Sequence, residues 1–150
     1  MKKPIIILIC ILSLLSCNAK RSNQTVDKKR EGLWIERYSI DSAHYKSIGK
    51  YKNNDPVKKW RYYLNDKLIK KEKYRSTGCK TKFYHQNRRT QEKGRTKIEE
   101  EKQLHWYYSG TWKYYDKKGK LTTTREYRKG DLISEENNKK NRNQYSIYQK

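Results

Sequence analysis

The residues here that could do chemistry are three histidines, three cysteines and one run of carboxylates. His44, His85 and His105 stand far apart, and none has a second His or Cys at the short spacing from which a tetrahedral zinc site is built. Glu99-Glu100-Glu101 reads as a solvated charge run, because no paired carboxylate stands out from the charged background. The chain has neither a G-x-S-x-G nucleophile turn nor a glycine-rich loop that could cradle phosphate. Nothing in these residues points to an enzyme, a metal or a cofactor. The remaining chemistry is that of sulfur, and its most telling position is Cys17 in Leu14-Leu15-Ser16-Cys17.

That cysteine ends a leader. Lys2 and Lys3 precede residues 5–15, which are apolar except for Cys10 and Ser13. Eleven helical residues rise about 16 Å, too short for a hydrocarbon core of about 30 Å. The expectation is an export signal over residues 1–16, set apart from the fold. A branched apolar residue three before a cysteine, with a small residue just before it, resembles the lipobox of bacterial lipoproteins. The resemblance implies cleavage before Cys17, acylation of its thiol and attachment to a membrane outside the cytoplasm, the outer membrane if the host is Gram-negative. Cys10 fits less well because bulky Ile9 precedes it. The alternative is an ordinary cleaved signal with Cys17 near the cut. With Cys17 acylated, Cys79 has no disulfide partner in the mature chain and is expected to be a half-buried structural residue.

Composition limits what such a chain can bury. Hydrophobic residues make up 33%, against about 45–50% in ordinary globular domains. The apolar material outside the leader is largely aromatic, with Tyr 14 and Trp 4. These amphipathic rings suit a thin sheet with wet edges better than a thick core. The formal net charge is +22, and only Lys2 and Lys3 of it fall in the leader. Lysine-rich, asparagine-rich composition is read first as a solvated face and second as attraction toward polyanions.

The elements that must position these rings repeat. Gly32-Leu33-Trp34 and Gly110-Thr111-Trp112 share a G-x-W phrase, and Lys58-Lys59-Trp60 keeps the Trp without the Gly. Tyr38, Tyr62-Tyr63 and Tyr114-Tyr115 follow the three tryptophans. Turns come next, at Asn65-Asp66 and at Asp116-Lys117-Lys118-Gly119. Strands then return through Leu68 to Tyr74 and through Leu121 to Tyr127. A degenerate copy has Thr81-Lys82-Phe83-Tyr84 in place of W-x-Y-Y and Asn87-Arg88-Arg89 as its turn. A loose period in this range marks a repeat architecture. Each unit reads as a β-hairpin, with Trp60, Tyr62 and Leu64 on one face and Arg61 and Tyr63 on the other. A lone hairpin is marginal in water, so neighbours must stack their aromatic stripes. The expected class is all-β, an elongated antiparallel sheet of repeated β-hairpins. Its expected core comprises Gly32, Trp34, Tyr38, Trp60, Tyr62, Leu68, Tyr74, Gly110, Trp112, Tyr114, Gly119, Leu121 and Tyr127.

This pattern, with Gly119-Lys120-Leu121 after the turn and Tyr127-Arg128-Lys129-Gly130 at the unit's end, looks like the MORN-repeat variant of bacterial proteins. Residues 55–60 resemble its linker between repeats, with Lys58 where glycine is usual. The resemblance spans about residues 31–136. It implies a single-layer sheet of hairpins without catalytic residues, and for some members an antitoxin role. An export signal fits poorly with an antitoxin that works in the cytoplasm.

The expected organisation is a leader over residues 1–16, a lipidated cysteine with a flexible tether over residues 17–30, a repeat domain over residues 31–136 and a polar tail over residues 137–150. Residues 94–103 read as an insertion between hairpins, and Trp106-Tyr107-Tyr108 as a redundant strand start. The expected function is a membrane-anchored, non-enzymatic lipoprotein of the cell envelope that scaffolds a protein partner. The alternatives are a binder of anionic lipid or lipopolysaccharide, or an antitoxin-like module. Nucleic acid is the least favoured partner.

Overall fold

The computed structural model describes residues 21–76, 78–99 and 105–138. These form ten strands: β1 Gln24–Val26, β2 Lys29–Ile40, β3 Ala43–Lys52, β4 Asp55–Leu64, β5 Lys67–Arg75, β6 Gly78–Tyr84, β7 Thr90–Glu99, β8 His105–Tyr115, β9 Leu121–Arg128 and β10 Asp131–Asn137. Each pairs with its sequence neighbours in one sheet of order β1 to β10, and every pairing is antiparallel. The protein is all-β, an open meander of hairpins, as the alternating sequence pattern requires.

Turn chemistry explains why the chain reverses where it does. Asp27-Lys28, Asn53-Asn54, Asn65-Asp66 and Lys129-Gly130 all have positive φ at both positions. That is the signature of the tight hairpin turns whose twist matches the strands they join. Asn and Asp tolerate the left-handed region best among residues with a side chain, so the abundant asparagine has a local use. The β8–β9 turn instead hangs on Asp116. Its Oδ1 accepts the amides of Lys118 and Lys120, both at 2.9 Å, and these donors hold its carboxyl below the usual range.

Three hairpins are structural copies. Each of β4–β5, β6–β7 and β8–β9 has one extra residue on its returning strand, opposite an aromatic pair: Tyr62-Tyr63, Phe83-Tyr84 or Tyr114-Tyr115. Such a bulge bends the strand and increases its twist. The bulges leave the main rows aligned, so Tyr62, Lys70, Phe83, Glu92 and Tyr114 face one another in succession across five strands.

Several boundaries differ from the sequence reading. Within the tether expected through Arg30, residues 24–26 form β1 and pair with Lys29, Arg30 and Glu31. Backbone pairing stabilises this polar segment without any apolar pattern to announce it. Residues 55–60, read as a linker, are the first half of β4 and pair with β3. Residues 94–99, read as insertion, continue β7, and Trp106, Tyr107 and Tyr108 pair with Ile98, Lys97 and Thr96 as the first half of β8. Asn137, the first residue of the expected polar tail, is the last residue of β10. The leader, Cys17 and residues 139–150 lie outside the described residues.

Candidate functional site: a lysine-lined sheet face

The two faces of the sheet differ in kind. One carries the large rings. Trp112 is fully buried and Trp60 nearly so, each lying across a strand glycine. A Cβ at Gly49 would overlap the Trp60 indole, and one at Gly94 the Trp112 indole. The two indoles donate to the next carbonyl along, Trp60 Nε1 to Lys50 O at 3.2 Å and Trp112 Nε1 to Arg95 O at 3.0 Å. Tyr108 stacks on Trp112 at 3.9 Å, and Tyr51 meets both Trp34 and Trp60 edge-on. Cys79 is a free thiol, more deeply buried than the half-buried position expected for it.

Two carboxylates on this face, Glu72 and Glu36, are satisfied by tyrosines, a serine and cations. Tyr62 and Tyr74 donate to Glu72 Oε2 at 2.5 and 2.8 Å, and Lys70 Nζ lies 3.0 Å from Oε1. Burial, followed by Glu72's hydrogen bond and charge, pushes the Tyr62 phenol far above its ordinary range; burial and the same carboxylate do so for Tyr74. Glu36 likewise accepts from Arg30 at 3.1 Å, Ser47 at 2.8 Å and Tyr51 at 3.3 Å. The groups around Glu72 and Glu36 are engaged with one another, packed rather than poised.

The expected core residues divide accordingly. Trp60 and Trp112 are buried, and Trp34, Tyr62, Leu68, Tyr74, Tyr114, Leu121 and Tyr127 are half-buried. Tyr38 is 59% exposed, although its ring stacks on Tyr45 at 4.8 Å. The phenols of Tyr114 and Tyr127 meet at 3.3 Å. Gly32 and Gly110 serve through backbone conformation, with φ of 72° and 68°, and Lys58 takes the same left-handed conformation at 62°. Gly119 has φ 86° in its turn.

The histidines do not converge. His44 Nδ1 lies 2.8 Å from the Ser39 hydroxyl, and His85 Nε2 lies 2.8 Å from the Tyr115 carbonyl. Among the described residues no three His, Cys, Asp or Glu side chains are grouped to hold a metal ion.

The other face of the central sheet is cationic. Lys59, Lys73, Lys80 and Arg95 face one another in one row across β4 to β7. Arg61, Lys71, Lys82, Lys93 and Lys113 form a second row across β4 to β8. All nine line a shallow trough of about 950 Å³. The ion pairs among the described residues fall on other cations: Arg30, Lys46, Lys70 and Arg125. Strands lie about 4.8 Å apart and directly opposed like charges destabilise a sheet, so this face concentrates positive potential at a cost in stability. Beside the second row, Tyr84 has Lys71 and Lys82 at 5.4 and 5.5 Å from its ring centre, and Tyr115 has Lys93 at 5.2 Å.

The sequence reading treated lysine as diffuse and missed these rows. The signal was the alternation itself: Lys71-x-Lys73, Lys80-x-Lys82 and Lys93-x-Arg95 put cations on one face at period two. Gly49 and Gly94 were also legible in principle, as glycines within strands that mark close approach. No family model, no curated protein and no solved structure matches this chain.

Proposed function

We propose that the protein is a non-enzymatic lipoprotein of the cell envelope, acylated at Cys17, whose hairpin sheet is a binding scaffold with a cationic face for an anionic partner. The observation that carries the reading is the pair of cation rows, which the aromatic face does not neutralise and the strand pairing opposes. A neutral or basic protein surface is a poor fit to nine cations in one trough. An acidic partner suits it, because opposite potentials steer encounter and fix register.

Chain length supports the anchor's part in this. Ser22 already bridges to Leu33 at the sheet's first edge. Five residues from Cys17 to Ser22 span at most about 18 Å, so an acyl group on Cys17 holds the domain next to the bilayer. The glycine-tryptophan hairpin pattern supports membership of the MORN-variant repeats, whose form is a scaffold.

Two measurements test the reading. Fatty-acid labelling in the native host should mark the wild type and not Cys17→Ser; label on the variant refutes the anchor. The full chain should bind an immobilised polyanion at low salt and elute near 0.5 M, where screening shortens to about 5 Å. Absence of any salt-sensitive retention refutes the cationic face as the binding site.

A further inference from the structure

We propose that the occupant of the trough is a linear acidic polysaccharide, a chain of uronate-type rings laid across the strands. This rests on the polyanion reading above and goes further by fixing the partner's shape and spacing. Three observations carry it.

The first is the shape of the site. The cations line a trough rather than a bulging surface, which suits an extended chain better than a flat sheet of headgroups. The second is the direction of the charge. Arg61, Lys71, Lys82, Lys93 and Lys113 run perpendicular to the strands, one per strand. Neighbouring cations are therefore separated by about one strand spacing, about 4.8 Å. A (1→4)-linked pyranose chain advances by close to that distance per ring, so the carboxylates along one side of the chain meet every second cation.

The third observation is a row of tyrosines in register with the cations. Tyr62, Phe83 and Tyr114 occupy a single cross-sheet row on the aromatic face. The residues that follow them, Tyr63, Tyr84 and Tyr115, therefore form a row on the lysine face, on β4, β6 and β8. Aromatics on alternate strands stand about 10 Å apart. A (1→4)-linked uronate chain in its twofold form turns its rings over alternately and repeats the same face every second ring, so its apolar ring faces fall on successive tyrosines. Each tyrosine also has an ammonium beside it from the preceding strand: Lys46, which Asp66 shares, lies 5.0 Å from Tyr63, Lys71 5.4 Å from Tyr84 and Lys93 5.2 Å from Tyr115, and Tyr84 itself lines the trough. A ring for the sugar and a cation for its acid thus recur at one period. A lipid surface would use the cations and has no need of tyrosines at that spacing; a single nucleic-acid strand would use the cations and stack bases on the rings, which makes it the competitor that the test must separate.

The test is titration of the full chain, held in non-ionic detergent, with three probes: polygalacturonate, neutral dextran and a single-stranded oligonucleotide of matched charge. Polygalacturonate should bind at least tenfold more tightly than the oligonucleotide, and dextran should not bind. Tyr84→Ala should weaken polygalacturonate at least fivefold and leave the oligonucleotide unchanged, while Tyr84→Phe keeps wild-type affinity. Tyr63→Ala carries the same test if Tyr84→Ala does not melt cooperatively. Equal affinity for the two polyanions, or equal loss of both in the tyrosine variants, overturns the polysaccharide assignment and leaves the polyanion reading standing. Failure of both polyanions to bind overturns both.

Discussion

The indole of Trp112 lies on the backbone of Gly94, and a side chain at residue 94 would occupy the space of the ring. Trp60 stands in the same relation to Gly49. In a single-layer sheet with little aliphatic material, this is how a tryptophan becomes buried: it takes the space a neighbouring strand vacates. Gly94→Ala should therefore destabilise the fold by about 2–3 kcal/mol through overpacking. Thermal melting of the variant checks this, and a melting temperature equal to wild type would mean that the ring and strand do not touch.

Lys58 takes the left-handed conformation that Gly32 and Gly110 take two residues before their tryptophans. A side chain pays for that conformation where glycine does not. Lys58→Gly should raise stability by about 0.5–1 kcal/mol, read from the urea midpoint at unchanged slope. Gly110→Ala should lower it by a similar amount. The same sign for both substitutions would contradict the backbone account.

Alkaline pH should unfold the protein in a window set by Tyr62 and Tyr74. Both phenols are held above their ordinary 10.0 by burial and by Glu72. A group with a raised folded pKa contributes stability below its unfolded pKa and loses it as pH climbs past that value. Stability should be level up to about pH 9 and fall above about 10. In Tyr62→Phe/Tyr74→Phe that slope should be shallower, a comparison that equilibrium unfolding at pH 8 and 11 provides.

Glu92 has the opposite consequence at neutral pH. Burial raises its carboxyl above the ordinary 4.5, against a smaller pull from Arg125. Its contribution is therefore most favourable below that value and is lost as the pH rises through the folded pKa. Glu92→Gln should raise the melting temperature at pH 7 and change it little at pH 4. An unchanged or lowered value at pH 7 would show that the charge is welcome where it sits.

The lysine rows should be visible in stability as well as binding. Lys82 stands directly between Lys71 and Lys93, and directly opposed like charges cost about 0.2–1 kcal/mol per pair. Lys82→Glu should stabilise the protein at low ionic strength by about 1 kcal/mol while weakening polyanion binding. The gain should shrink in 0.5 M salt, where screening is tight. Scanning calorimetry at two salt concentrations reads both effects.

Much of the architecture was legible because its signals are local. Period-two alternation placed Trp60 and Tyr62 opposite Arg61 and Tyr63, and the aromatic pairs marked the three bulged hairpins. Strand extents were harder. Residues 24–26, 55–60 and 94–99 have no apolar alternation that separates strand from linker; cross-strand backbone hydrogen bonds stabilise them, and those bonds leave no mark on residue type.

By itself the sequence determined the all-β class, the reversals at Asn65-Asp66 and at Asp116 to Gly119, and the inward role of Trp60 and Trp112, because turn chemistry and side-chain alternation act over a few residues. Only the tertiary structure decided that Gly49 and Gly94 receive the indoles, and that lysines far apart in the chain form two unbroken rows. Those relations depend on register between strands, and register is a sum over many weak pairings that no short segment contains.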